Sequence, residues 1–175
     1  MKHVAPVRKE ISVRTIFNIL GPLSNPAGAS MQLMGVYDES LVEPLGEVLF
    51  RLGVKRGMVV YGKDGLDEIS MSAPTKVCQI RDGWFKTYTI NPKLCDKSEL
   101  IGGNPAENAE ITLNILNGEQ GPKTDAVVLN AAAALYIAKQ DISLNEAIEQ
   151  IKEVIAKKKA VEKLNEFIRY SNETD

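Results

Sequence analysis

The residues with the clearest chemical potential are two adjacent acids, Asp67 and Glu68, in the stretch GKDGLDEIS. They follow GMVVY at 57–61, an apolar run that predicts a buried strand. Ligands of open α/β sheets bind beyond the carboxyl ends of such strands. Neighbouring carboxylates on an extended segment point apart, so the pair can serve two cations or clasp one with help. A hard divalent ion such as Mg²⁺ takes oxygen ligands of this kind, one or two carboxylates together with substrate phosphates. The same residues also read as a solvated acidic turn, because turns favour Asp and Gly and Asp64 lies close by. Arg8 is the second candidate: its planar guanidinium suits bidentate capture of a carboxylate or phosphate. It reads equally as a solvated charge in an opening stretch that holds Lys2, Arg8, Lys9 and Arg14 against Glu10. Third, Gly21-Pro22 offers either a stiffened backbone that a ligand can approach closely or a plain break from helix to loop. Gly102-Gly103-Asn104 matches neither the P-loop nor the dinucleotide fingerprint and reads as a turn with an N-cap. His3 reads as a surface or packing residue.

Composition narrows the classes of function. The chain has 175 residues, 44% hydrophobic and 25% charged, enough for one domain with its own core. With 21 basic against 23 acidic residues it is not a generally cationic nucleic-acid binder. Cys78 and Cys95 form no CxxC and fit neither a zinc site nor a disulfide framework, which suits a reducing cytosol. A single histidine excludes His-rich metal sites and a His-centred triad elsewhere in the chain. No apolar run approaches the ~20 residues of a membrane span, and Met1-Lys2-His3 leads into no signal-like segment. The expectation is a cytoplasmic protein with no nucleic-acid or membrane partner.

The elements that must carry these residues follow from periodicity. Residues 14–30 start apolar and should break at Gly21-Pro22, Asn25-Pro26 and Gly28. A strand is predicted over 31–37 and a helix over 40–52, where Leu41, Val42, Leu45, Val48, Leu49 and Leu52 make one stripe. Ser40 and Glu43 suggest a capping box, with Pro44 making the first turn irregular, and Gly53 stops the helix. The strand at 57–61 completes a βαβ unit and should pair parallel to the first. Residues 76–90 read as a hairpin around Asp82-Gly83. Helices are predicted from Asn104-Pro105 onward, over 123–139, over 143–158 and over 160–170. The fold class is α/β: part of a mixed, largely parallel sheet with flanking helices, in a single domain over 1–175.

The segments VAPVR, FNILGPLSNPAGA, YGKDGLDEIS and GGNPAENAEITLNILNGEQGPKTDAVVLNAAAALYIA, in this order, resemble the anthranilate phosphoribosyltransferase family over nearly the whole chain. The resemblance is greater than to the related pyrimidine nucleoside phosphorylases. It implies a nucleoside phosphorylase/phosphoribosyltransferase-like C-terminal domain and transfer of phosphoribose from phosphoribosyl pyrophosphate (PRPP) to anthranilate. The products would be N-(5-phosphoribosyl)-anthranilate and pyrophosphate, in tryptophan biosynthesis. It further implies that Arg8 binds anthranilate, that Gly21 and Pro22 line the anthranilate side, and that Asp67 and Glu68 bind Mg²⁺. No catalytic residue is assigned, since the arylamine nucleophile is neutral at pH 7 and no strong general base is obligatory. Family members also carry an N-terminal helical domain, a Gly-Thr-Gly-Gly-Asp loop for PRPP and a Lys-His-Gly-Asn segment, none of which occurs here. The expectation is therefore the C-terminal portion of such an enzyme, inactive alone and prone to self-association through an open sheet edge. The alternatives are a pyrimidine nucleoside phosphorylase relative and a non-catalytic interaction module.

Overall fold

The computed structural model describes residues 17–24, 28–92 and 94–173. Its sheet is organised by β2 (Arg56–Gly62), in which Met58, Val59 and Val60 are each no more than 1% exposed. Successive strand side chains point to opposite faces, so a strand apolar at every central position must be covered on both sides. On one side Val59 packs with Met34, Leu45, Leu49, Cys78 and Ile80. On the other, Met58 and Val60 pack with Ile69, Val77, Leu129, Ala133 and Ile137.

Four strands run in the order β1-β2-β3-β4, with β1 at Met31–Gly35, β3 at Thr75–Arg81 and β4 at Trp84–Ile90. β1 pairs parallel with β2, Met31 opposite Arg56 and Gly35 opposite Val60, as a βαβ unit requires. β2–β3 and β3–β4 are antiparallel, the latter closing through Asp82 and Gly83, both at positive φ as a two-residue hairpin demands. The sheet is mixed as expected, but parallel pairing is confined to β1–β2 among the described strands. "Largely parallel" is therefore corrected: only the β1–β2 connection passes through a crossover helix.

The helices are α1 (Phe17–Leu23), α2 (Val42–Arg51), α3 (Pro105–Leu116), α4 (Pro122–Ala138), α5 (Leu144–Ala156) and α6 (Lys159–Glu173). α2 and α4 cover the two sheet faces, and α5 packs on α4 through Ala132, Ile142 and Ala147. Asn104 and Ser143 form the capping boxes with Glu107 and Glu146. Two local expectations are corrected. The 3₁₀ turn Glu39–Leu41 includes Ser40, so the extended residue before it, Asp38, makes the cap by accepting from the Ser40 N–H at 2.9 Å and its Oγ at 2.7 Å. α1 does not break at Gly21-Pro22 but runs through both to Leu23. Pro22 lies one residue from the helix end, and Ser24 closes the last turn by donating its N–H and Oγ to the Leu20 carbonyl.

The sheet is also pinned to α4 by polar groups. Arg56, 7% exposed, donates to the Tyr136 carbonyl at 3.1 Å and to that of Lys139, where α4 ends with unpaired carbonyls. Arg81 donates to the Gln140 carbonyl at 2.7 Å, and the Gln79 amide donates to the Tyr136 hydroxyl at 2.9 Å. Tyr88 in turn donates to Gln79 Oε1 at 3.0 Å, and burial, with Tyr136 nearby, pushes its pKa up to about 12.

α2 lies close against the sheet at Gly46, where a Cβ would overlap Cys78 Sγ and lie 3.0 Å from its Cβ. Overpacking of this kind costs about 1–3 kcal/mol, against about 1 kcal/mol gained by Ala over Gly in a helix. Gly46→Ala is expected to lower stability in urea melts, and Cys78→Ala in the same chain to recover part of the loss. A stabilising Gly46→Ala would mean that α2 does not sit this close to β3.

Candidate functional site

The connection from β2 to β3, residues 63–74, emerges at the carboxyl end of the parallel pair. Its interior is tied together by hydrogen bonds that the backbone of a loop cannot supply from a ladder. The Gly62 N–H donates to the Leu66 carbonyl at 2.8 Å and the Lys63 N–H to that of Pro74 at 2.9 Å. Asp64 accepts from Ser70 Oγ at 2.6 Å and from Ser72 Oγ. The Ser70 N–H donates to Thr75 Oγ1 at 2.9 Å, and the N–H groups of Ser72 and Ala73 donate to Ser70 Oγ. Burial opposes ionisation of Asp64, but the hydrogen bonds from Ser70, Ser72 and the Leu66 N–H outweigh it and hold the pKa below the ordinary aspartate value. Asp64 thus belongs to the frame of the loop.

Asp67 and Glu68 are different: both are exposed, and among the described residues neither takes part in an ion pair. Their backbone is nevertheless fixed. The Asp67 carbonyl rests against Gly35, the last residue of β1, so closely that a Cβ there would overlap it. Ile69, fully buried, anchors the other side in the core shared with Leu129 and Ala133. Asn130 on α4 accepts the Ile69 N–H at 2.9 Å and donates to the Ile69 carbonyl at 2.9 Å. Exposed as it is, Glu68 has its pKa raised, first by lost hydration and then by repulsion from Asp67 and Asp64. Lys97 reaches the loop, but its ammonium donates to the Asp64 carbonyl at 2.6 Å.

This donor set fits an open hard-cation site. Among the described residues no group of three His, Cys, Asp or Glu side chains is arranged to hold a metal ion. Two carboxylates with no cationic partner are what Mg²⁺ uses when phosphate oxygens and water complete its shell.

The remaining candidates stand apart. Pro22 meets the other half of β1: the Gln32 amide donates to the Pro22 carbonyl at 3.4 Å, and Pro22 lines a cavity of about 260 Å³ with Ser30, Gln32, Leu49 and Val54. Gln32 and Gly35 are three residues apart, or about 10 Å along a strand, so the described residues do not bring Gly21-Pro22 against the acids. Arg8 and His3 lie outside the described residues. The N–H groups of Gly103 and Asn104 are taken by Asn108 and Glu107, so this turn is a helix start, as read from the sequence. Sequence reasoning missed two residues, Asp64 as the organiser of the loop and Asn130 as its clamp. The signal for Asn130 was present: it is the one side chain with hydrogen-bonding groups between Ala126 and Leu135.

A mixed sheet with a helix on each face and an acid-bearing loop beyond its parallel strands defines an α/β domain with an open acidic loop at its ligand-accessible end. The chain belongs to the glycosyl transferase family, a/b domain, whose sequence profile matches residues 1–161. It is 58% identical over 98% of its length to anthranilate phosphoribosyltransferase of Lachnoclostridium phytofermentans, covering 53% of that protein. The crystal structure of the Thermus thermophilus anthranilate phosphoribosyltransferase superposes with a TM-score of 0.87 at 40% identity, over 97% of this chain and 52% of that one. The Saccharomyces cerevisiae enzyme in complex with PRPP and Mg superposes at 0.85, and in complex with 4-fluoroanthranilate at 0.86, both at 28% identity. Each match covers 97% of this chain, and 50% and 51% of the yeast chains respectively. The chain spans about half the length of the curated relatives it matches.

The depressed pKa of Asp64 makes the loop acid-sensitive. As the pH falls, the unfolded chain takes up a proton at this carboxyl first. Its contribution to stability is complete above the ordinary aspartate range and is lost as the pH drops through the folded value. Asp64→Asn is expected to cost about 1.5–3 kcal/mol at pH 7, as hydrogen bonds to a charged group do, and less at acid pH. Urea melts at pH 7 and pH 3 check this; an equal gap at both would remove the ionised Asp64 from the frame.

Proposed function

We propose that this chain carries the anthranilate-orienting and Mg²⁺-holding half of an anthranilate phosphoribosyltransferase. The reaction is transfer of phosphoribose from PRPP to the amine of anthranilate, releasing pyrophosphate. The observation that carries this reading is the contrast within one loop: the side chains of Asp64, Ser70 and Ser72 are bonded to one another, whereas those of Asp67 and Glu68 are exposed and, among the described residues, in no ion pair. The ligands named for the yeast relative, PRPP with Mg and 4-fluoroanthranilate, support the same assignment.

Displacement at the ribose C1 builds negative charge on the departing pyrophosphate and positive charge on the sugar. Bound Mg²⁺ supplies charge neutralisation and a template for the phosphate oxygens. The chain's own contribution is to hold the carboxylates of Asp67 and Glu68 rigidly at the carboxyl end of the sheet. Arg8 pairs with the anthranilate carboxylate and so aims the amine, a contribution of orientation rather than bond-making. Gly21 and Pro22 line the anthranilate side. Because the amine attacks as a neutral group, no general base is assigned. The protein works in the cytoplasm, and self-association through the outer edge of β1 accompanies the isolated chain. Among the described residues no helix is long and apolar enough to cross a membrane.

The test joins these 175 residues to the N-terminal half of the Lachnoclostridium relative and follows anthranilate fluorescence with PRPP and Mg²⁺. The chimera is expected to consume anthranilate, and the chain alone not to. Arg8→Ala should raise the KM for anthranilate about 10- to 100-fold with little change for PRPP, as loss of a charged hydrogen bond predicts. Asp67→Asn with Glu68→Gln should abolish turnover while changing stability by only about 0.5 kcal/mol. A chimera that is folded but acts only on thymine with ribose phosphate would replace this reading by a nucleoside phosphorylase.

A further inference from the structure

Glu68 sits between two immobilised peptide planes. The plane joining Asp67 to Glu68 carries the carbonyl that presses on Gly35. The plane joining Glu68 to Ile69 carries the N–H that Asn130 accepts at 2.9 Å. Peptide units are rigid, so fixing both leaves the backbone of Glu68 little freedom. Asn130 does more than receive one bond: it donates to the Ile69 carbonyl at 2.9 Å and to the Ala126 carbonyl of its own helix at 3.0 Å. Its carboxamide thereby acts as a short stretch of strand edge for a residue that has no ladder partner. α4 itself cannot drift, because Arg56 and Arg81 hold the carbonyls at and beyond its other end.

We propose that Asn130 is a positioning residue for the Asp67–Glu68 pair, fixing the two carboxylates in the arrangement that binds a divalent cation. This rests on the reading of those acids as cation ligands. Asn130 touches neither the cation nor substrate; it acts through the backbone of Ile69. Groups that orient metal ligands typically account for about 10- to 100-fold in metal affinity.

The test uses the 175-residue chain with Mn²⁺ as the probe, read by loss of the free-ion EPR signal, together with amide hydrogen exchange. Asn130→Ala is expected to weaken Mn²⁺ binding about tenfold and to speed exchange of the Ile69 N–H, with the amides of Val59 and Leu129 still protected. Asn130→Ser, which fills more of the site, should behave the same way if the alanine variant folds poorly. In the active chimera the same substitution should raise the Mg²⁺ needed for half-maximal rate while the rate at saturating Mg²⁺ recovers, a split that general loosening of the fold would not give. Unchanged Mn²⁺ affinity despite faster exchange at Ile69, or unchanged exchange there, overturns the proposal. Asp67→Asn with Glu68→Gln separates it from the reading beneath it. That variant should lose Mn²⁺ while keeping Ile69 protected, and if it binds Mn²⁺ normally the acids are not ligands and the role of Asn130 falls with them.

Discussion

Burial of β2 on both faces is the constraint from which the rest of the architecture follows. Because Met58 and Val60 point one way and Val59 the other, one helix cannot cover the strand, and the chain must supply α2 on one side and α4 on the other. A strand so enclosed sends its continuation out only at its carboxyl end. The loop to β3 is therefore delivered to the place where an α/β sheet has room for ligands. The same packing puts Asn130 of α4 and Gly35 of β1 beside that loop, one from each neighbouring layer. Sheet and site share a single cause.

Within the loop, polar groups divide into those that hold and those that remain available. Asp64, Ser70, Ser72 and Thr75 saturate one another and the nearby N–H groups, in surroundings where an unpaired polar atom would be costly. Among the described residues no buried side-chain nitrogen or oxygen lacks a partner. The energy that makes the loop rigid comes from residues that do no chemistry, and this frees Asp67 and Glu68 from any structural duty. Preorganisation of this kind matters because a ligand that must be ordered at binding gives back part of its affinity as lost conformational freedom.

How much of this was legible in the sequence depends on the range of each interaction. The caps at Asn104 and Ser143 were legible because donor and acceptor are three residues apart. The β3–β4 hairpin was legible because Asp82-Gly83 states its own turn type. Asp38 displaced Ser40 as a cap because a single 3₁₀ turn moved the helix start, a shift too small for a hydrophobic stripe to register. Gly21-Pro22 reads as a break because proline removes a backbone donor, yet α1 continues one residue past it to Leu23. Asn130 stood out as the one hydrogen-bonding side chain among apolar neighbours, but its partner was not legible, and neither was the function of Gly35. Each depends on a contact with a distant segment, 61 residues away for Asn130, and neither a glycine after apolar residues nor an asparagine among alanines announces its partner.

Asp64, Asp67 and Glu68 crowd negative charge into one loop, and only Asp64 has its charge absorbed by hydroxyl donors. For Glu68, lost hydration and two like charges work against ionisation, so the exposed pair is the point at which the loop is least satisfied. A bound divalent cation reverses that balance. Two carboxylates fill only part of a Mg²⁺ shell, however, and the strongest remaining oxygen donors for such an ion are phosphates. On the proposed reading, metal and diphosphate substrate complete each other's coordination. Each then raises the affinity for the other by the same factor, as linkage requires. An open, two-carboxylate site is thus suited to a metal that arrives with its substrate rather than one kept permanently in a protein cage.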